Sequence, residues 1–182
     1  MPTPWGHALA GLAAGTAATG GRTLLGPVKD VVFFAGVGMM ADLDFIPGLL
    51  LGQAGDWHRG ASHSFTAVAA AGLAAWLWGR RRGLGKWLAL AALAAYGSHV
   101  LLDYLNVDTR PPFGIPLLWP FSGEYMLSHH AIFPDVKRHA LTWAIIVHDL
   151  KAVAWETLLL GPLAAAALWW RQARRRREQG RA

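Results

Sequence analysis

Apolar residues in this chain are gathered into blocks that polar residues interrupt at only a few places. Four or five of these blocks read as membrane-embedded helical segments. The first runs from Trp5 to Gly20 and is rich in Ala and Gly. The second runs from Val28 to about Leu51 and is broken by Asp42, Asp44 and Pro47. Ser64 to Trp78, Trp87 to Leu105 and Ala152 to Trp170 follow, the last with a kink expected at Gly161-Pro162. Several are shorter than the ~20 residues of a perpendicular span, so short spans, broken helices, partly buried helices and a dip into one leaflet all stay open. The stretch from Tyr104 to Lys151 is polar and aromatic, with prolines at 111, 112, 116, 120 and 134. It predicts an ordered loop at the bilayer surface, with a short interfacial helix over His139 to Leu150. The expected fold is all-α: a small membrane bundle of four to five helices with a loop-rich insertion. Residues 1–170 form one domain, and 171–182 a solvated basic tail.

Composition strengthens the membrane reading. Charged residues are only 15% of the chain and hydrophobic ones 54%, against about 25% charged in soluble domains. Ten tryptophans suit the membrane–water boundary. The net charge of +6 does not call for a nucleic-acid partner, because the basic residues flank apolar blocks. No basic stretch precedes the first block, so it is expected to stay in the mature chain rather than serve as a signal peptide.

Charge also predicts an orientation. If the first segment runs out-to-in and the others alternate, Arg22, Lys29, Arg80, Arg81, Arg82, Lys86, Arg171, Arg174, Arg175, Arg176, Arg177 and Arg181 share one side, 12 of 17 basic residues. That side should be cytoplasmic. The same topology puts His7, Asp42, Asp44, His58, His63, His99 and Asp103 together on the other, non-cytoplasmic face.

Those residues are the candidate chemistry. With no cysteine, a metal must be held by His, carboxylate or backbone oxygen. His99 and Asp103 are four apart in a helical block, one turn from each other on one face, and can chelate one ion. The alternative is a His–Asp pair that steadies the bundle, but ionisable residues inside membrane segments are costly and usually functional. His58 and His63 flank Gly60 in HRGASHS, just ahead of a helix whose N-cap falls near Ser62 or His63; Arg59 can meet an anionic oxygen. Asp42 and Asp44 do not share a helical face, yet a turn at Pro47 can present both, one as ligand and one as general base. His7 is weak alone, and His129, His130, His139 and His148 have no supporting spacing.

The blocks GHALAG, MADLDFIP, HRGASHS, GSHVLLDYLN and GIPLLWPFS, over residues 4 to 122, resemble the YdjM-like family of inner-membrane, metal-dependent hydrolases described as regulated by LexA. The resemblance implies a multi-pass, membrane-bound hydrolase with a divalent metal: zinc first, manganese or iron as alternatives. There is also a distant similarity to the zinc-dependent phospholipase C and nuclease fold, in which a His-x-x-x-Asp pair holds metal; here that pair is His99 and Asp103. Phe45 stands where the family's acidic motif often carries a histidine, which removes one ligand.

The expected function is therefore hydrolysis of an ester or phosphoester at the membrane interface, on a lipid or other small-molecule substrate. His7, Asp42, His58, His63, His99 and Asp103 are the expected ligands of one or two divalent ions, Asp44 the general base and Arg59 the substrate contact. Divalent-cation transport and a metal-stabilised scaffold without turnover are the rivals. Transport predicts polar residues through the whole membrane depth, and hydrolysis a cluster at one end.

Overall fold

A computed structural model describes residues 1–52, 58–109, 111–137 and 142–180. These form α1 (Pro4–Ala18), α2 (Pro27–Met39), a 3-10 turn (Met40–Asp44), α3 (Phe45–Leu50), a second 3-10 turn (Ala61–His63), α4 (Phe65–Arg80), α5 (Gly85–Tyr104) and α6 (Trp143–Gln179). Among the described residues there is no strand, only isolated bridges Asn106–Phe133 and Ile115–Met126 that tie the loop region together. The fold is all-α.

Helix α1 is the hub, packed against α2, α5 and α6. Its small residues make this possible, since they let helix backbones approach closely. Gly11 faces the Cα of Gly38 on α2, and Gly15 faces the ring of Phe34. Gly6 faces the carboxylate of Glu156 on α6. The α4–α5 pair repeats the device, with Gly72 against Leu93 and Gly79 against Leu88. Outside the core, large apolar side chains face outward: Val28, Val32, Leu73, Trp78, Leu158 and Trp169 are all at least half exposed. A soluble monomer rarely shows so much apolar surface, whereas lipid accepts it. Two helical stretches, residues 27–50 and 143–179, are long and apolar enough to cross a membrane.

Three local expectations are revised. The second block changes geometry before Pro47: α2 ends at Met39, a 3-10 turn carries both aspartates, and Pro47 sits in the first turn of α3. Proline fits there because its missing N–H would have no helical partner. The expected interfacial helix and final segment are one helix, continuous through Gly161 and Pro162; His139 lies outside the described residues. The N-cap of α4 is Ser64, whose hydroxyl accepts from the Ala67 N–H, one or two residues later than expected.

Glu156 locks α6 to the start of α1. It is fully buried and accepts from the Thr3 N–H at 2.7 Å and from the Thr3 hydroxyl, while that hydroxyl caps α1 by accepting from the Gly6 N–H. Glu156→Ala leaves both Thr3 donors buried without their acceptor. Thermal unfolding in detergent should register a loss of about 1–3 kcal/mol; an unchanged midpoint would mean that this lock contributes nothing.

Candidate metal centre

Four separate stretches of chain bring His and Asp side chains to one end of the bundle. His7 comes from the first turn of α1, Asp42 from the 3-10 turn after α2, His63 from the turn before α4, and His99 and Asp103 from the last turns of α5. Arg22, Asp30, Arg171 and Arg174 make their contacts at the opposite end, where α1 and α6 finish and α2 begins.

Asp103 is the centre of the group. Its Oδ1 lies 3.4 Å from His7 Nε2, and its Oδ2 lies 3.1 Å from His63 Nε2 and 3.4 Å from His99 Nε2. His63 Nε2 and His99 Nε2 are 3.2 Å apart. Asp42 Oδ1 stands 3.7 Å from His99 Nε2 and 3.9 Å from His63 Nε2. The His7 ring stacks on that of His99, centroids 3.7 Å apart. His7, His63 and His99 are fully buried.

The surrounding network sets which nitrogens face inward. His99 Nδ1 lies 2.8 Å from the Gly38 carbonyl, which can only accept. The Nδ1–H therefore donates outward and the Nε2 lone pair points into the cluster. The Ser62 hydroxyl donates to Asp44 Oδ2 at 2.6 Å and is 2.9 Å from His63 Nδ1, whose N–H it can accept. Again Nε2 is left facing inward. Two imidazole lone pairs and two carboxylates thus meet in one buried place, an arrangement that demands a cation.

The donor set fits a divalent metal. Both ring nitrogens of His7 and all four carboxylate oxygens of Asp42 and Asp103 are buried without a hydrogen-bond partner. Ligands bonded at about 2.0–2.1 Å to one tetrahedral ion stand about 3.3–3.4 Å apart, close to the 3.1–3.4 Å separations around Asp103. Without an ion, a proton takes its place. Burial alone would depress the pKa of His63, but the Asp103 and Asp44 carboxylates outweigh it and raise it to about 9. Metal entry must displace that proton.

Asp44 has a different position from the one its sequence suggests. It accepts from His58 Nδ1 at 2.8 Å, the Arg59 N–H at 3.1 Å and the Ser62 hydroxyl, and lies 3.3 Å from His63 Nδ1. It stands behind two histidines, on the side away from the inward-facing nitrogens. His58 is beside the cluster, its Nε2 3.8 Å from Asp42 Oδ1 and in contact with the Met1 sulfur. Arg59 adopts a left-handed backbone conformation (φ 66°) and pairs with Asp108, so its guanidinium is already engaged by a carboxylate. His129 and His130 are exposed and belong to no candidate metal group among the described residues, and His148 pairs with Asp135 at 3.0 Å.

Sequence reasoning passed over Gly38, Ser62 and Glu156. A backbone carbonyl leaves no trace in residue type, and Ser62 reads as an ordinary cap candidate. Glu156 did carry a signal, as the lone acid among the apolar residues of 152–170.

Fold and site together define an all-helical membrane-type bundle with a candidate divalent-metal centre at one end. The sequence model for the YdjM inner membrane protein family matches residues 1–177, and the chain belongs to that family. No curated protein and no solved structure matches it.

Proposed function

We propose that the protein is a membrane-bound, metal-dependent hydrolase with its centre at the non-cytoplasmic membrane interface. The observation that carries this is the convergence of unpartnered His7, Asp42 and Asp103 atoms on the inward-facing nitrogens of His63 and His99. His7, Asp42, His63, His99 and Asp103 hold the ion, and His58 with Asp42 extends the donor set toward a second position. Bound there, a divalent ion supplies Lewis acidity and a nucleophile at neutral pH; zinc suits this donor set, with manganese and iron as alternatives.

The chain's own residues position and admit. Asp44 orients His63 and His58 in the manner of a carboxylate behind a metal-ligating histidine, a role that competes with the base role expected for it. Arg59, held by Asp108, fixes the turn that carries His58. The open side of the centre is at Asp42, Asp44 and His58, whose side chains keep 17%, 15% and 9% exposure against 0–1% for His7, His63, His99 and Asp103. Leu43, between the two aspartates, and Ile46 are exposed beside it. An ester or phosphoester with an apolar portion, such as a lipid, meets the centre from that side.

Transport fits less well. Toward the basic end the core contains the apolar cluster Leu12, Phe34, Ala91 and Ala164, and among the described residues the groups that could hold a metal all lie at the other end. The test is hydrolysis of phosphoester and lipid-ester analogues by metal-loaded protein in detergent. Asp44→Asn separates the two roles of that residue. As a positioning residue it should weaken metal binding about 10–100-fold, with turnover recovered at saturating metal. Full metal retention with turnover abolished would restore Asp44 as the base.

A further inference from the structure

The end of the bundle opposite the metal centre holds a second feature. A cavity of about 300 Å³ lies between the start of α2 and the last turns of α6. One wall is apolar, made by Val28, Val31 and Leu168, and the other carries Arg171 and Arg175. The two arginines are one helical turn apart and repel each other.

Their charges are not compensated alike. Arg171 is 3% exposed and pairs with the fully buried Asp30, which also accepts from the Leu24 and Leu25 N–H groups. Even so, its Nε is buried without a hydrogen-bond partner. Arg174 is occupied by Glu178 and the Gly20 carbonyl. Arg175 makes no hydrogen bond or ion pair among the described residues. At the start of α2, Asp30 in the first turn offsets the helix end and one arginine, which leaves Arg175 as the uncompensated cation of the cavity wall.

We infer that this cavity is a binding site for an anionic phospholipid, its headgroup phosphate held by Arg175 and Arg171 at the start of α2 and an acyl chain lying along Val28, Val31 and Leu168. The apolar wall favours a lipid over a free phosphate. So does the position, at the ends of the two helical stretches long and apolar enough to cross a membrane. Basic pockets between membrane helices are general sites for anionic headgroups. The inference is independent of any reaction at the metal centre.

The test is native mass spectrometry of the full chain released from mixed phosphatidylglycerol and phosphatidylcholine, which counts retained lipids and their relative affinity. One phosphatidylglycerol should be retained in preference to phosphatidylcholine. Arg175→Gln should weaken its affinity about fivefold. Val31→Trp, which fills the cavity and keeps every charge, should also displace it. Arg177→Gln, on the exposed tail, should leave it unchanged. Equal retention of both lipids, an equal loss in Arg177→Gln, or full retention in Val31→Trp would overturn the site in favour of diffuse attraction to the tail. Displacement by millimolar inorganic phosphate would overturn the lipid assignment in favour of a free-phosphate site.

Discussion

Asp103→Ala, purified in detergent, should keep its helical content and lose its metal. Asp103 lies within 3.4 Å of three histidine nitrogens, those of His7, His63 and His99, and alanine is the best helix former. If the proposed centre holds an ion, removing Asp103 takes away a ligand and the negative charge that would offset it. The loss of affinity should exceed the about 10–100-fold that residues behind the ligands contribute. Elemental analysis beside the wild-type protein is the measurement, and the His99→Ala/Asp103→Ala double variant should contain no stoichiometric metal. Wild-type metal occupancy in both variants would refute their role as ligands.

Gly38→Ala should damage the same centre without touching a ligand. A Cβ on Gly38 would lie 2.6 Å from the His7 carbonyl oxygen and 2.9 Å from the Gly11 Cα, both backbone atoms that cannot rotate away. The helices α1 and α2 must part, moving His7 and shifting the Gly38 carbonyl that holds His99 Nδ1. Overpacking of this kind costs about 1–3 kcal/mol, and loss of the outer hydrogen bond should lower metal affinity about 10–100-fold. Gly36→Ala, two residues away on α2, is the control: its Cβ would meet nothing within 4 Å, and stability should hold or rise slightly. If the two variants bind metal alike, the close α1–α2 approach is not what positions the centre.

The contrast between these substitutions shows how far the sequence could be read. Asp103 and His99 were visible because their spacing fits one helix face, and His7, Asp42 and His63 because alternating segments bring their ends together. The all-α fold followed from the apolar blocks. Gly38 was not legible, since its role is a carbonyl direction and a missing Cβ, neither of which residue type encodes. The different placement of Asp42 and Asp44 was not legible for a related reason: two aspartates around Leu43 look equivalent in sequence, and only the 3-10 turn sends one toward the inward-facing nitrogens and the other behind His63 and His58. In sequence α6 divides in two, a short interfacial helix to Leu150 and an apolar segment from Ala152, because His148, Asp149 and Lys151 interrupt the apolar pattern; in the structure the first two of these meet Asp135 and Lys137 at the side of one continuous helix.

The order in which the donors occur along the chain has a consequence for biosynthesis. His7, Asp42 and His63 are made first, and each must wait beside the membrane uncompensated until His99 and Asp103 emerge. Every residue proposed to hold the ion is present once α5 is complete, before any of α6 has been translated. Capture of the ion at that stage would fasten α1, the turn after α2, the turn before α4 and α5 into one unit onto which α6 then docks through Glu156. In cells starved of metal, the nascent protein would carry its buried carboxylates unneutralised, and quality-control proteases would have a longer time in which to remove it. If the proposed centre is metal-bound in the cell, metal supply would then set how much of the protein accumulates.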